Sequence, residues 1–521
     1  MVVGCFSGMQ ICSRLWSEGE GRQWQCHLDE KSRMIYKNDM SGKARQWIFW
    51  IIPIFLALTV ASCKKAAAPG SATESQTGPA ASPAETNQDE FAWNLKTLVE
   101  SYKQAGRANP KWDAPAILAL TEFARARSGP VTNEPWGQII STNIAAAVQA
   151  GCDDPLVRYL FVKFTLDQTN SRETFADQFC DVALDMQNSS YPPILKFYAA
   201  QRAVDQLFYT YGYHTNNFEL HPMFGKMTAL IGPNLLSALN DKSMPAEQAF
   251  QACDAALTSM KGEGIPDYTA YSQAYSCMEG PIFQNWPNAY TSWLLKGEAY
   301  VQLAWGARGT GYADTVTPDG WKLFSQRLAV AESALTNAWQ LNSNDWRIAN
   351  HMLEVELGQG EGRDRLDLWF QRAMALNPYD YDACSTKLLY LQPKWYGSTD
   401  DMLEFGHECA TNMAWQGEVP LILLDAHYCI SCMYTNEADQ ENYWKQPDVW
   451  PDIQTAYERF FQVNPDATGR YGQYAFYAYK CGKWKAFLDL IPKFGPGSYD
   501  YFGGRDQFDK MVQVAKQNVG S

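Results

Sequence analysis

The chain reads Trp293-Leu294-Leu295-Lys296-Gly297-Glu298-Ala299-Tyr300 at the start of its second half, with large residues and one glycine three and four positions apart. A second pattern of small and apolar positions follows at Ala331, Leu335, Ala338 and Ser343. Spacings of three and four residues place side chains on one face of an α-helix. Both patterns therefore predict helices that pack through that face.

The second pattern recurs twice, which indicates internal repeats. Its later copies are Leu366, Phe370, Ala373 and Pro378, and more loosely Ile453, Tyr457, Phe460 and Pro465. Small residues let two helices approach closely, aromatic residues fill the groove of the next pair, and proline ends the second helix. The first pattern resembles W-x2-L-G-x2-Y of a tetratricopeptide unit, with Lys296 in place of leucine. The resemblance implies an all-α, tetratricopeptide-like helical-repeat solenoid, whose irregular spacing makes the repeats degenerate.

Two short motifs lie within this region. The A-R-G box is Ala307, Arg308 and Gly309, and the K-W-Y-G-S box is Pro393, Lys394, Trp395, Tyr396, Gly397 and Ser398. Together they resemble an uncharacterised bacterial family that carries A-R-G and P-[KR]-W-x-G-S boxes between tetratricopeptide-like helices. The resemblance covers about Trp293 to Phe508 and implies a helical-repeat fold without an established activity.

The residues of the boxes also carry expectations of their own. We expect Arg308 to cap helix carbonyls, with the binding of a carboxylate as the alternative. We expect the second box to be a structural turn, in which Trp395 is buried and Gly397 ends a helix, and a binding site is the alternative reading.

The N-terminal part contains an export signal. Lys43 and Arg45 precede an apolar run from Trp47, which ends in Leu58-Thr59-Val60-Ala61-Ser62-Cys63. A basic segment, a short apolar segment and small residues are typical of a secretory signal. The ending resembles the lipobox of bacterial lipoproteins, and this implies that Cys63 is lipidated and becomes the first mature residue. A membrane-spanning helix is disfavoured, because the run is shorter than the roughly 20 residues required.

These observations divide the chain into five segments. We predict an over-extended start or disorder over 1–39, with Met34 or Met40 as the true start, and a lipoprotein signal peptide over 40–62. Residues 63–90, rich in Ala, Ser, Thr, Gly and Pro, are predicted to form a disordered tether. An N-terminal helical region over 91–285 and a tetratricopeptide-like region over 286–521 follow.

The charge of the chain excludes one class of partner. Its 43 Lys and Arg against 57 Asp and Glu give a net charge of −14. Nucleic-acid binding depends on Lys and Arg that neutralise phosphates, so no nucleic-acid partner is expected.

No G-x-S-x-G, H-E-x-x-H or glycine-rich phosphate loop is present, so we expect neither an enzyme nor a cofactor.

The cysteines suggest disulfides in an exported protein. Nine cysteines follow Cys63, and export favours oxidised thiols. Three pairs are separated by about one helical hairpin: Cys152 and Cys180, Cys253 and Cys277, and Cys384 and Cys409. At least one or two bridges are the hypothesis, and buried free thiols are the open alternative.

A metal site near His427-x-Cys429-x2-Cys432 is disfavoured. On a helix Cys429 and Cys432 share a face, whereas His427 points elsewhere. A zinc site needs four converging ligands, so we predict no metal here, with a Cys-x2-Cys redox pair as the second disfavoured reading.

Aromatic residues supply the remaining functional signal. The chain has 19 Trp, 28 Tyr and 25 Phe, and Trp444 and Trp450 lie in a polar, proline-containing segment. We predict an envelope lipoprotein, facing the periplasm or in the outer membrane, that is a non-catalytic scaffold for a protein or peptide. The alternative is a surface glycan-binding lipoprotein that uses exposed aromatics such as Trp444 and Trp450. Packing between helices is the competing reading for these two residues.

Overall fold

The structure is a computed structural model that describes residues 83–128, 136–164, 171–212, 221–260 and 268–519. The described residues are helical and contain no β-strand, so the all-α prediction is confirmed. Cys63 and the predicted signal peptide lie outside the described residues. None of the described helices is both long and apolar enough to cross a membrane.

The end of the predicted tether is helical. The helix Pro83–Leu95 covers its last residues, and the side chains of Glu90 and Trp93 are buried. Proline is favoured in the first turn of a helix, because its missing N–H has no partner to lose there. Because this segment contains few large apolar residues, the sequence did not indicate that it belongs to a helix in which Trp93 is buried.

The described residues divide into two compact units. Residues up to Gly306, together with Thr336–Asn342, form unit N, and Ala307–Leu335 with the residues from Ser343 onward form unit C. The boundary that the sequence places at 285/286 lies inside unit N.

Unit N contains the first eleven described α-helices, the last of which ends just past its border. They are Pro83–Leu95, Ser101–Ala105, Asp113–Ala126, Trp136–Gln149, Pro155–Phe164, Arg172–Gln187, Pro193–Leu207, Met223–Ala238, Ala246–Thr258, Thr269–Asn285 and Tyr290–Arg308. Short π-helical segments occur at Lys96–Glu100 and Phe208–Gly212.

Unit C begins with most of a long helix and continues with ten shorter ones. They are Pro318–Leu341, Trp346–Gln359, Arg363–Leu376, Tyr381–Tyr390, Thr399–Thr411, Ile422–Ser431, Glu437–Trp444, Val449–Val463, Arg470–Lys480, Trp484–Leu490 and Arg505–Asn518. Single 3-10 turns occur at Ala313–Thr315, Val419–Leu421, Ile491–Lys493 and Ser498–Phe502.

Helices of unit C contact their neighbours in sequence and also the next helix but one. Trp346–Gln359 packs on Arg363–Leu376 and also contacts Tyr381–Tyr390. Tyr381–Tyr390 in turn contacts Ile422–Ser431, which packs on Thr399–Thr411. Contacts between helices that are two apart in the chain thus recur in this part of unit C.

The repeated sequence pattern forms the packing face, as predicted. Its helical positions are each 2% exposed or less: Ala331, Leu335, Ala338, Leu366, Phe370, Ala373, Ile453, Tyr457 and Phe460. The last position of each copy, Ser343, Pro378 or Pro465, follows the end of its helix. The pattern thus fixes which face of each helix is buried and where the helix ends.

Three helix ends in unit C position the two boxes. Gly309 has φ of 74° and follows the last residue of Tyr290–Arg308, and Gly360 has φ of 67° after Trp346–Gln359. Glycine adopts this left-handed conformation without a steric cost. At the third end, Ser398 begins Thr399–Thr411, because its Oγ accepts the N–H of Asp401 at 3.1 Å.

Candidate functional site

The A-R-G box and the K-W-Y-G-S box meet in unit C, although they lie far apart in the chain. The guanidinium carbon of Arg308 lies 5.3 Å from the ring centre of Trp395 and 5.6 Å from that of Trp321. Trp321 lies near the start of Pro318–Leu341. Both distances allow cation–π attraction, so one arginine joins the two boxes and a third element.

Arg308 is held by backbone carbonyls. Its Nη1 donates to the carbonyl oxygen of Gly309 at 3.2 Å and to that of Gly311 at 3.1 Å. Arg308 was expected to cap helix carbonyls, but the carbonyls that it binds belong to the loop just beyond the helix Tyr290–Arg308. Burial lowers the pKa of Arg308, and the nearby Tyr396 opposes that shift.

The K-W-Y-G-S box forms a turn, as expected. The N–H of Trp395 donates to Gln392 at 2.8 Å, and the N–H of Tyr396 donates to Tyr390 at 3.1 Å. A Cβ at Gly397 would lie 2.4 Å from the carbonyl oxygen of Leu391, so only glycine fits at this close approach.

Two details of this box differ from the expectation. Gly397 does not end a helix but stands just before Ser398, the first capping residue of the next one. Trp395 is partly exposed rather than buried. The preceding helix already ends at Tyr390, before the box begins, and most of the box lies at the surface.

Exposed aromatic rings lie near Arg308, either in space or in the chain. Tyr312 is 54% exposed, Trp321 is 38% exposed and Tyr396 is 47% exposed. We define the Arg308 surface as Arg308, Tyr312, Trp321, Trp395 and Tyr396. Trp, Tyr and Arg are the residues that most often dominate binding energy in protein interfaces, so this surface can bind an apolar anchor of a partner.

Pro393 and Lys394 extend this surface. Both residues are exposed at the start of the K-W-Y-G-S box. Lys394 is the second cation of the two boxes, in a chain whose net charge is −14. The surface is therefore suited to an acidic group beside an apolar one.

An ion-pair cluster lies on the helix whose end contacts Tyr396. A Cβ at Gly360 would lie 2.5 Å from Oη of Tyr396, so this tyrosine packs against the end of Trp346–Gln359. On the same helix Glu356 pairs with Nη2 of Arg365 at 2.7 Å, and Glu332 of the preceding helix pairs with the same Nη2 at 2.7 Å. One guanidinium thus links three helices.

The pKa values of the two carboxyl groups of this cluster shift in opposite directions. Burial raises the pKa of Glu356, and Arg365 opposes it. Burial acts in the same sense on Glu332, but hydrogen bonds from Gln359 and Arg365 bring the pKa of Glu332 below its usual value. Oppositely shifted carboxyl groups can serve acid–base chemistry. Glu356 is fully buried, however, so the pair is suited to holding helices together rather than to contacting a substrate.

A second polar cluster links four helices and was not predicted. Nε2 of His407 lies 2.8 Å from Oδ1 of Asp452, and Nε2 of His427 lies 3.0 Å from Oδ2. Nδ1 of His427 lies 2.8 Å from Oη of Tyr443. Although burial raises it, hydrogen bonds from His427 and His407 bring the pKa of Asp452 below its usual value. The sequence gives no signal for this cluster, because its members come from four separate helices.

The structure and the sequence agree on the direction of His427. Its ring faces Asp452 and Tyr443, whereas Cys429 lies near Nε2 of Gln392, at 3.5 Å. Among the described residues no group of three or more His, Cys, Asp or Glu side chains is arranged to hold a metal ion.

Trp444 and Trp450 are not a ligand surface. Trp444 is 3% exposed and Trp450 is 8% exposed. Trp444 packs against Tyr477 at 5.0 Å between ring centres, and Trp450 stacks on Tyr474 at 5.7 Å. The expectation of exposed rings was therefore wrong, and the competing reading of helix packing is correct. Trp450 stands three residues before Ile453 on the buried face of its helix, which is a signal that the sequence contained.

The predicted disulfides are not formed in the structure. The free thiols include both cysteines of two pairs, and Cys253 of the third: Cys152, Cys180, Cys253, Cys384 and Cys409. Because Cys253 is free, it is not bonded to Cys277.

The surroundings of the predicted pairs differ. Burial, together with nearby carboxylates, raises the pKa of Cys152 to about 11 and that of Cys180 to about 12, and both thiols are free. Chain separation alone did not determine which way these side chains point. In contrast, burial and the thiol of Cys409 together raise the pKa of Cys384, so these two side chains are neighbours, although both are free thiols.

Comparison with protein families and with curated proteins finds no relative of this chain. No family model matches the chain, and no curated protein matches it. The resemblances drawn from the two boxes and from the lipobox therefore stay predictions.

Proposed function

We propose that this protein is a bacterial envelope lipoprotein that acts as a non-catalytic scaffold for a protein or peptide partner. It is anchored through lipid on Cys63, and its helices form a degenerate tetratricopeptide-like solenoid. The partner binds at the Arg308 surface. The observation that carries this proposal is the meeting of the two boxes around Arg308, with exposed rings on both sides.

The packing of unit C supports a helical-repeat scaffold. Its helices contact their sequence neighbours and the next helix but one, which is the contact pattern of stacked repeats. The repeated apolar positions are buried. Stacked repeats keep exposed loops at fixed distances from one another. The two boxes therefore stay close together although they form no large hydrophobic core of their own.

The chemistry of the Arg308 surface favours a protein or peptide. Large rings next to a guanidinium bury much apolar area at a small cost in side-chain entropy. The cations of the two boxes attract acidic groups, although most of the chain repels them. A peptide that carries an aromatic or aliphatic side chain beside a carboxylate satisfies both features.

The glycan-binding alternative loses its basis. It rested on Trp444 and Trp450, and both side chains are buried against other rings. No other observation favours it over a protein or peptide ligand.

Site-specific photo-crosslinking in the native envelope tests the proposal. A photoreactive amino acid replaces Tyr396, and in a matched control it replaces Tyr379, which is 62% exposed at a different loop of unit C. We expect one discrete adduct from position 396 that is absent from position 379. The proposal is contradicted if position 396 gives no adduct, or if both positions give the same adducts.

A further inference from the structure

Two hydrogen-bonded pairs of unit C bring charged and phenolic groups together. Oη of Tyr381 donates to Oδ2 of Asp425, and Nη2 of Arg470 pairs with Oε1 of Glu418. All four side chains are partly exposed. They come from three helices and from the turn before one of them, so no spacing in the sequence indicates that they meet.

Backbone geometry places the two pairs next to each other. The N–H of Gln416 donates to the carbonyl oxygen of Pro378 at 2.9 Å, and this bond ties the loop before Glu418 to the loop before Tyr381. A single 3-10 turn joins Glu418 to the helix of Asp425. Residues seven apart lie two helical turns from each other on the same face. Both carboxylates therefore lie on one side of this segment.

Asp425 carries a charge that the two pairs do not balance. Within the part of the chain that the structure describes, Tyr381 is its hydrogen-bond donor and no Lys, Arg or His forms an ion pair with it. Because Arg470 is paired with Glu418, the ionised cluster has one net negative charge. Burial raises the pKa of Asp425 to about 7. A carboxyl group that contacts solvent and is still so poorly hydrated lies in a recess.

A buried hydroxyl group belongs to the same cluster. Tyr457 is 0% exposed, and among the described residues its Oη has no hydrogen-bond partner, which is rare for a buried group. Its ring stacks at 4.5 Å on that of Tyr474, which stands four residues after Arg470 and shares a helix face with it. The helix of Tyr457 also contacts the turn after Glu418 and the helix of Asp425. Burial raises the pKa of Tyr457, and Arg470 and Asp425 both act on it, so its Oη points toward them.

These groups suit a cation better than other ligands. An ammonium group has three N–H donors and one positive charge, so it can donate to Asp425 and to Oη of Tyr457 and also balance the net charge. Tyrosine rings attract such a cation as well. A neutral alcohol would supply a donor but leave the charge, and a carboxylate would add a second negative charge.

We propose that Asp425, Glu418 and Tyr457 form a binding site for an alkylammonium group, which is the end of a lysine side chain or of a free aliphatic amine. None of these residues belongs to the Arg308 surface, and the two sites take groups of opposite charge. Failure of one proposal therefore leaves the other untouched.

The affinity of this site should depend on the protonation of Asp425. A neutral carboxyl group does not attract an ammonium group, and amines with a pKa of about 10 stay charged throughout. With a pKa of about 7, Asp425 is about one-tenth ionised at about pH 6 and about nine-tenths ionised at about pH 8. The phenol and thiol groups near Asp425 do not titrate in this range, because burial raises their pKa values. The titratable and charged groups that face Asp425 are Tyr381, Glu418, Cys429, Tyr457, Arg470 and Tyr477.

Calorimetric titration of the purified full chain tests this site. The chloride salts of n-butylammonium and of Nα-acetyl-lysine amide are titrated separately, with ionic strength held constant. We expect saturable 1:1 binding of at least one of them, with an affinity about tenfold higher at about pH 8 than at about pH 6. Tighter binding of the lysine amide assigns the site to peptide side chains, and equal or weaker binding assigns it to free amines.

Asp425→Asn removes the charge and keeps the shape of the side chain. It should weaken amine binding at about pH 8 by about tenfold or more, because a charge-assisted hydrogen bond is lost, and it should remove the dependence on pH. The matched control is Asp364→Asn. Like Asp425, Asp364 lies in the first turn of a helix of unit C, but it is exposed, so its removal should change binding less than about twofold.

Tyr457→Phe separates binding from folding. The variant keeps the ring that stacks on Tyr474 and removes only a hydroxyl group without a partner. We expect no loss of melting temperature and amine binding that is weaker by about threefold or more. The proposal is overturned if neither amine binds saturably, if the affinity does not rise with pH, if Asp425→Asn binds like the wild type, or if Asp364→Asn weakens binding as much as Asp425→Asn does.

Discussion

At the residue scale, unit C encloses two carboxyl groups whose pKa values are raised. Asp380 is 4% exposed and begins Tyr381–Tyr390, where its Oδ1 accepts the N–H of Ala383 at 3.0 Å. Burial raises the pKa of Asp380 to about 6, and burial also raises the pKa of Asp425 to about 7. Such groups bind protons more tightly in the folded chain than in the unfolded chain, so they favour the folded state at acidic pH.

Asp380→Asn tests this pH response. The contribution of Asp380 to stability is complete below the unfolded pKa near 4 and is lost as the pH rises through about 6. Asparagine caps a helix equally well and does not titrate. We therefore expect the unfolding free energy of the variant, relative to wild type, to rise by about 2 kcal/mol between about pH 4.5 and about pH 8. Urea unfolding followed by fluorescence at both pH values measures this difference.

Asp466→Asn is the control for this experiment, because its carboxyl group is exposed. The unfolding free energy of this variant, relative to wild type, gives the effect of removing an exposed carboxylate at each of the two pH values. A difference for Asp380→Asn that is flat or falls with rising pH would show that Asp380 has no raised pKa.

Thiol counting tests the cysteine chemistry. The thiols of Cys384 and Cys409 are neighbours, and an exported chain meets an oxidising compartment. We expect the protein from native envelopes, denatured without reduction and alkylated, to retain one Cys384–Cys409 bridge and to have alkylated Cys152, Cys180 and Cys253. Peptide mass spectrometry decides, and alkylation of both Cys384 and Cys409 contradicts the expectation.

At the element scale, each helix of unit C is defined by its buried face. On Arg363–Leu376, Phe370 is 2% exposed and lies 5.3 Å from the ring of Phe405 and 5.6 Å from that of Trp415. Leu368, two positions earlier, is 45% exposed. One aromatic side chain thus joins the helices of two successive pairs.

Phe370→Ala and Leu368→Ala separate packing from hydrophobicity. We expect Phe370→Ala to lower the unfolding free energy by about 3–5 kcal/mol, because the substitution removes two ring contacts and leaves a cavity. Leu368→Ala should change it by less than about 0.5 kcal/mol. Urea denaturation of both variants is the measurement, and equal losses would mean that the helix is oriented differently.

Sequence patterns predicted the helices and their buried positions better than the contacts between segments that lie far apart in the chain. The positions Leu366, Phe370 and Ala373 were identified from their resemblance to the second-helix pattern of a tetratricopeptide unit, whose spacing of three and four residues is that of one helix face. The contact of Arg308 with Trp395 was not predicted, since it depends on how successive helix pairs stack. Burial of Trp450 could have been inferred from its distance to Ile453, but polar neighbours suggested exposure instead.

At the scale of the whole molecule, we expect the chain to be held at a membrane by one lipidated residue. Cys63→Ser removes the acceptor sulfur and leaves the described residues unchanged. We expect loss of palmitate labelling and transfer of the protein from the membrane to the soluble fraction, because the buried acyl chains supply the attachment. Cys481→Ser, at a buried cysteine of unit C, is the control and should stay in the membrane. Unchanged labelling of Cys63→Ser contradicts the lipid anchor.

The scaffold role depends most directly on the strength of binding at the Arg308 surface. Once crosslinking identifies the partner, biolayer interferometry gives its Kd for the wild type, Tyr396→Ala and Tyr379→Ala. We expect Tyr396→Ala to weaken binding by about tenfold or more, as loss of a central aromatic contact does, and Tyr379→Ala to bind within about twofold of the wild type. Equal affinity in all three proteins would contradict the claim that the two boxes form the binding surface.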